Sequence, residues 1–193
     1  MRRKKVKKNI VLASSSPRRI EMMKKHGYDP EIVPADINEK LPYGISMTDA
    51  VMFLALKKAL SVEDKVEPGS VIIAADTVVY KDKILGKPLN RCDAFRMISS
   101  IKNTAHAVAT GVAIIVAGDT KRKAFYDVTE VFCKDYSDAE INAYLDTDEP
   151  YDKAGAYAIQ GEFSKYIDHY EGSFDNVVGF PWEKIEKELK EFL

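Results

Sequence analysis

The stretch "SVIIAADTVVYKDKILGKP", Ser70 to Pro88, limits the fold more than any other part of the chain. Its first half has no polar face, so it reads as a strand covered on both sides and placed centrally in a sheet. A tight turn at Lys81–Asp82 and a short return strand follow. Asp76 interrupts the apolar run. A carboxylate there is costly to bury unless it is paired or holds a metal. If the strand ends at Asp76, the residue reaches a sheet edge where ligands bind. Asp76 therefore reads as a Mg²⁺ ligand or as a group that takes a proton from water. It reads also as a structural aspartate bonded to a nearby backbone N–H. Thr77 falls on the opposite face of the same strand.

Helix and strand signals alternate around this centre. Ile10 to Leu12 form a short strand, and Pro17 to about His26 a helix with Ser16 at its cap and Gly27 at its end. "EIVPAD" is a short strand running into a loop. "SMTDAVMFLALKKAL" is a helix capped by Ser46 or Thr48, apolar nearly all round from Ala50 to Leu56 and so expected to be buried. "NRCDAFRMISSI" is a helix capped by Asn90, with Phe95, Ile98 and Ile101 on its inner face. "TAHAVATGVAIIVAG" and "KAFYDVTEVFCKDY" pair as long strands through a turn near Gly118–Asp119. "SDAEINAYL" opens with a capping box, Ser137 with Glu140. "AGAYAIQGEF" and "KYIDHYEGSFDNVVGF" read as further short strands and turns, and "PWEKIEKELKEFL" closes the chain as a helix. The expected fold is α/β: a mixed β-sheet flanked by helices. The organisation is a basic extension over residues 1–8 and a single domain over 9–193.

Several side chains are placed for chemistry. "SSSPRR" sets Arg18 and Arg19 in the first turn of a helix, the end that prefers acids. Serine hydroxyls including Ser14, free backbone N–H groups and two guanidinium forks together suit a polyanion. A solvated turn whose arginines pair with acids elsewhere has the same pattern. In "LGKPL", Pro88 extends the backbone at Lys87, which offers a point charge for phosphate or is merely a surface lysine. Gln160 in "DKAGAYAIQG" has an amide that reads a base edge, or it is a turn residue. Lys58 ends the second helix, where a lysine also suits the dipole. Glu39 is one acid in a polar loop. His106 reads as a packed or capping residue. No cysteine or histidine partners a serine nucleophile, and the one Gly-Lys pair is followed by proline, so neither a hydrolase triad nor a Walker loop is present.

Formal net charge is −1, yet residues 2–8 hold six cations and no acid, so the rest is acidic. That excludes a broad nucleic-acid footprint. No apolar run reaches the roughly 18 residues of a membrane span. The apolar run after the basic segment, Ile10 to Ala13, is too short for a signal-peptide core. Cys92 and Cys133 fit no metal spacing, which points to a reduced, cytoplasmic protein without membrane contact.

In this order, "LASSSPRR", "AADTVV", "LGKP", "TAHAVATGV", "PYDKAGAYAIQG" and "EGSFDNVVGFP" resemble the Maf family of nucleoside triphosphate pyrophosphatases. The resemblance spans nearly all of the chain after residue 8. It implies a two-lobed, ITPase-like α/β fold around a cleft, often dimeric, and hydrolysis of a nucleoside triphosphate to monophosphate and pyrophosphate with Mg²⁺ or Mn²⁺. By motif, Asp76 would activate water, Ser14, Arg18, Arg19, Lys58 and Lys87 would bind phosphates, and Asp76 with Glu39 would hold the metal. Arg18, Thr77 and Gln160 match positions tied to substrate choice, in the combination of the branch acting on dTTP and UTP. Lys57 stands where the family often has an acid, so either Lys57 or Lys58 faces the cleft.

Overall fold

The computed structural model describes residues 8–193; the basic segment 1–7 lies outside the described residues. In chain order the elements are β1 (Ile10–Leu12), α1 (Pro17–Lys25), β2 (Glu31–Ile32), α2 (Met47–Leu60), β3 (Val71–Lys81), β4 (Lys83–Leu85), α3 (Arg91–Ile101), β5 (Ala105–Val116), β6 (Arg122–Cys133), α4 (Asp138–Leu145), β7 (Ile167–Glu171), α5 (Phe174–Val178) and α6 (Trp182–Leu189). The strands form one mixed sheet in the order β2-β1-β3-β5-β6-β7, with β4 also on β3.

β3 is the central strand, and its two edges differ. One edge is hydrogen-bonded to β5 without a break from Val71 to Tyr80. The other edge is shared: β1 pairs in parallel with Val71–Ile73, and β4 pairs antiparallel with Val79–Lys81. Between them, around Ala75–Thr77, no strand covers β3. Asp76 and Thr77 sit in that gap.

Side-chain alternation then sorts the core. Val71, Ile73 and Ala75 join Leu12, Met22, Met23, Phe180, Ile185 and Leu189 in a cluster built on α1 and α6. Ile72 and Ala74 meet Ala55 and Ala59 of α2 on the other face. Beyond the gap, Val79 and Val108 belong to a separate cluster with α3 and α4, centred on Ile98, Tyr144 and Phe163. The two lobes are thus opposite ends of the same two long strands, and the cleft lies where β3 loses its neighbour.

The local signals hold at most helix starts. The Ser46, Asn90 and Ser137 hydroxyl or amide oxygens accept the N–H groups of Asp49, Asp93 and Glu140, and Ser137 with Glu140 closes a full capping box. Four expectations are corrected. Ser16 occupies the cap position of α1, but its side chain caps nothing. Phe53, on the outer side of α2, is 41% exposed, because only one side of that helix meets the sheet. The segment "AGAYAIQGEF" forms no strand. It lies in two 3-10 turns, Ala154–Ala156 and Glu162–Tyr166, joined by a loop, and residues 174–178 form a helix capped by Ser173.

The sheet meets α2 most closely at Gly111 of β5. A Cβ there would stand 2.3 Å from the backbone carbon and oxygen of Val51. Gly111→Ala forces α2 outward. Overpacking of this kind costs roughly 1–3 kcal/mol, at about 2–4 °C of melting temperature per kcal/mol for a chain this size. Thermal unfolding followed by circular dichroism measures the loss.

Candidate active site

Asp76 projects from the gap toward α2 and is 7% exposed. Lys58 comes to it from the last turn of α2, one turn after Leu54. Its Nζ donates to Asp76 Oδ1 at 2.5 Å and lies 2.7 Å from Glu39 Oε1. One ammonium thus stands between two carboxylates. Lys57 is the lysine that turns away: its Nζ donates to the Asn38 carbonyl at 2.6 Å. Burial pushes the Asp76 carboxyl above its ordinary pKa, against the pull of Lys58 and Arg19 and with a further push from Glu39. Glu39 is less enclosed. Burial raises it too, but Lys58, Lys87 and Arg19 together bring it below the usual carboxylate range.

The two arginines of α1 take different places. Arg19 turns inward. Its Nε donates to the Gly179 carbonyl at 2.9 Å, and Nη1 to the Ala75 carbonyl at 2.8 Å and to Ser14 Oγ at 3.4 Å. Its Nη2 donates to Thr77 Oγ1 at 3.2 Å. It therefore occupies the uncovered edge of β3 and joins α1, β3 and the turn after α5. Burial lowers its pKa to about 10, against the attraction of Asp76, so it keeps its charge at neutral pH. Arg18 lines the cleft and makes no hydrogen bond or ion pair with the described residues.

A buried relay continues from Arg19. Thr110 Oγ1 donates to the Asn176 carbonyl at 2.9 Å and lies 3.0 Å from Thr77 Oγ1. Each hydroxyl has one hydrogen, so Thr77 must donate to Thr110 while accepting from Arg19. Asn176, with no exposed surface, donates from Nδ2 to the Val108 carbonyl and to Thr129 Oγ1, each at 2.9 Å. Residue-by-residue reading missed Thr110 and Asn176; a buried amide beside two valines in "SFDNVVG" was the available signal.

The open space consists of two adjoining cavities. One, about 500 Å³, is walled by Ser14, Ser15, Ser16, Arg18, Lys58 and Lys87 at the start of α1. The other, about 330 Å³, runs deeper along Asp76 and Thr77 to the apolar Val79, Ile84, Val108, Tyr157 and Ile159, with Gln160 on its wall. Asp152 and Lys153, an ion pair not singled out from sequence, line both. Lys87 and Gln160 are exposed and make no hydrogen bond with the described residues. Ser14 Oγ accepts from the Ser16 N–H at 3.2 Å as well as from Arg19, which leaves its own hydrogen available. All the expected residues thus meet in one cleft, and with Asp152 and Lys153 it holds five cations against three acids beside an uncapped helix start. Such a site favours a polyanion with an apolar attachment. His106 lies behind it, buried, with Nε2 2.7 Å from the Tyr157 hydroxyl; burial and Lys81 lower its pKa to about 4. Among the described residues no helix is long and apolar enough to cross a membrane.

Comparison with known proteins places these features in a wider set. A family model described as Maf-like protein matches residues 9–192. The dTTP/UTP pyrophosphatase of Acetivibrio thermocellus is 43% identical over 189 residues, covering 95% of this chain and 94% of that one. The dTTP/UTP pyrophosphatase of Caldicellulosiruptor bescii is 44% identical over 182 residues, covering 92% of each. The solved structure of the Staphylococcus aureus Ham1 protein shares the fold, with a TM-score of 0.52 and 13% identity over 95% of this chain and 99% of that one.

Arg19→Lys separates structure from binding at the helix start. A lysine cannot reach four acceptors at once, and the stranded carbonyls cost about 1–3 kcal/mol. The variant is expected to melt several degrees lower, whereas Arg18→Lys melts as the parent does. Differential scanning calorimetry of both decides it.

Proposed function

The chain belongs to the Maf-like protein family, and from that membership and the charge pattern of the cleft we propose that it hydrolyses dTTP and UTP to the monophosphate and pyrophosphate. The observation that carries this reading is the juxtaposition of a buried carboxylate, Asp76, with a basic cavity at an uncapped helix start. The triphosphate lies along the start of α1. Arg18, Lys87 and Lys153 face its oxygens, and the Ser14 hydroxyl donates to one of them. The base enters the deeper apolar cavity, where the unpartnered Gln160 amide meets its polar edge. Thr77 affects selection at one remove, since its hydroxyl is held by Arg19 and Thr110.

Asp76 accepts the proton of the attacking water. The water oxygen bonds to the α-phosphorus, and the bond from that phosphorus to the bridging oxygen breaks. Pyrophosphate leaves with its charge held by the cations. Positioning and fixed charge supply most of the acceleration in such a reaction. Burial aids the base, because a carboxylate with a raised pKa binds a proton more readily. Lys58 holds Asp76 and Glu39 together and adds a charge beside the reacting phosphate.

The donor set also fits a divalent cation. Asp76 and Glu39 flank the Lys58 ammonium with one oxygen each, which leaves each a second hard oxygen donor that no described residue engages, and Mg²⁺ or Mn²⁺ is commonly held by one or two carboxylates plus phosphate oxygens. Bound there, such an ion supplies Lewis acidity toward the phosphate oxygens.

Incubation of the purified protein with a panel of nucleoside triphosphates and Mg²⁺, followed by a pyrophosphate assay, tests the reading. Release from dTTP and UTP well above ATP and GTP is expected, and binding without release would make the protein a nucleotide sensor instead. Asp76→Asn is expected to lower turnover by roughly 10²–10⁴. In the metal-free protein, burial holds the Asp76 pKa above the ordinary carboxylate range. The same shift means that the folded state disfavours the charged form: any stability from protonated Asp76 is present at low pH and lost as pH rises through that pKa. Asp76→Asn is therefore expected to melt no lower than the parent at neutral pH. Lost turnover with an unchanged melting temperature is the signature to look for.

A further inference from the structure

Glu149 lies outside the chemistry just described, yet it closes the loop that forms one wall of the cleft. It begins a 3-10 turn, Glu149–Asp152, at the near end of that loop. Its Oε2 accepts the N–H of Glu162 at 2.8 Å, and its Oε1 accepts the N–H of Phe163 at 3.4 Å, at the far end. The Tyr144 hydroxyl from α4 lies 3.0 Å from Oε1 and 3.1 Å from the Ala156 carbonyl. One carboxylate thus ties both ends of the segment 153–160 to each other and to α4. Between the ties are the residues that face the cavity, Lys153, Tyr157, Ile159 and Gln160.

The sequence around the tie is shaped for it. Gly161 has ordinary backbone angles, φ −102°, so it is not needed for its conformation. A Cβ on it would stand 1.9 Å from Glu149 Oε2. Glycine is required there to admit the carboxylate. On the other side, the Gly155 N–H donates to the Gly86 carbonyl at 3.0 Å, and a Cβ on Gly155 would meet Val79 at 2.8 Å. The loop is therefore pinned to the Lys87 turn at one end and to Glu149 at the other. Gln160 itself makes no hydrogen bond with the described residues, so its place is set by this frame alone.

We propose that Glu149 is a positioning residue for base selection: by clasping residues 153–160 it fixes where the Gln160 amide meets the pyrimidine. The inference rests on the pyrimidine-selective hydrolysis proposed above. The carboxylate touches neither phosphates nor the reacting water, so loosening it changes which base is accepted more than how fast the bond breaks. Misplacement of a recognising group by about 1 Å is enough to cost on the order of tenfold or more in discrimination.

Steady-state kinetics on UTP and GTP test this with three variants. In Glu149→Ala the ratio of kcat/KM for UTP over GTP is expected to fall at least about tenfold. The fall comes chiefly through KM for UTP, with a smaller change in kcat. Glu149→Gln keeps an oxygen for the Glu162 N–H and is expected to retain most of the ratio. Gly161→Ala leaves Glu149 in place but pushes its carboxylate aside, and is expected to lose the ratio as Glu149→Ala does. If Glu149→Ala does not melt cooperatively, Gly161→Ala carries the decision. A folded Glu149→Ala or Gly161→Ala whose ratio matches the parent overturns the inference and leaves the hydrolysis reading intact. A parent enzyme that turns over UTP and GTP equally overturns both.

Discussion

A strand has two edges, and the second edge of β3 is divided between β1 and β4. The functional geometry follows from that division. A central strand fully paired on both sides would leave no backbone carbonyl along its edge for a side-chain donor. Here the interval around Ala75–Thr77 is bonded only to β5. The Ala75 carbonyl is left for a side-chain donor, and Asp76 and Thr77 point to opposite faces of the opening. Asp76 meets Lys58 of α2 on one face; Thr77 meets Arg19 of α1 on the other. The cleft is thus a consequence of strand pairing, with the lobes as its two banks.

The same interval explains the paired arginines. Two guanidinium groups in the first turn of a helix oppose its dipole, and two separate demands offset that cost. Arg19 supplies donors to the exposed strand edge and to the Gly179 carbonyl, where neutral acceptors would otherwise lie unpaired. Arg18 remains in the cleft with the lysines. Of the two arginines, only Arg18 has donors left over for an incoming anion in quantity. The adjacent residues differ in function because α1 turns 100° between them, so one faces the sheet and the other the cavity.

The central strand, the alternation that separates Asp76 from Thr77, and three of the helix caps were legible because each depends on neighbours within four residues. The convergence of Ser14, Arg18, Lys58, Asp76 and Lys87 was legible only through the motif order, since their meeting depends on long-range packing. Ser16 shows the limit of a local rule: it has the residue type and position of a cap, but its N–H is drawn to Ser14 Oγ and its hydroxyl is not used on the helix. The segment 153–166 misled for another reason. Small residues carry no periodicity, and its shape is imposed by Glu149, Val79 and Gly86 from elsewhere in the chain. Asp152 and Lys153 escaped notice with it.

Hydrogen-bond polarity accounts for how unevenly the site is fixed. A carbonyl cannot donate, so the Asn176 oxygen sets the direction of the Thr110 hydroxyl, and through it that of Thr77. Thr77 must then accept from Arg19, and the guanidinium is locked by four acceptors from three parts of the fold. Thr110, Thr77 and Arg19 on this side each have a single hydrogen-bonded orientation. Opposite this network, the cavity-facing groups Arg18, Lys87 and Gln160 have no such partners among the described residues. In the hydrolysis proposed above, a triphosphate bound between them would meet one side that is already arranged and one side free to follow its charge. The rigid side holds the strand that carries Asp76, where a small error in angle would matter most to proton transfer. The free side holds the groups that must accept a substrate and release two products.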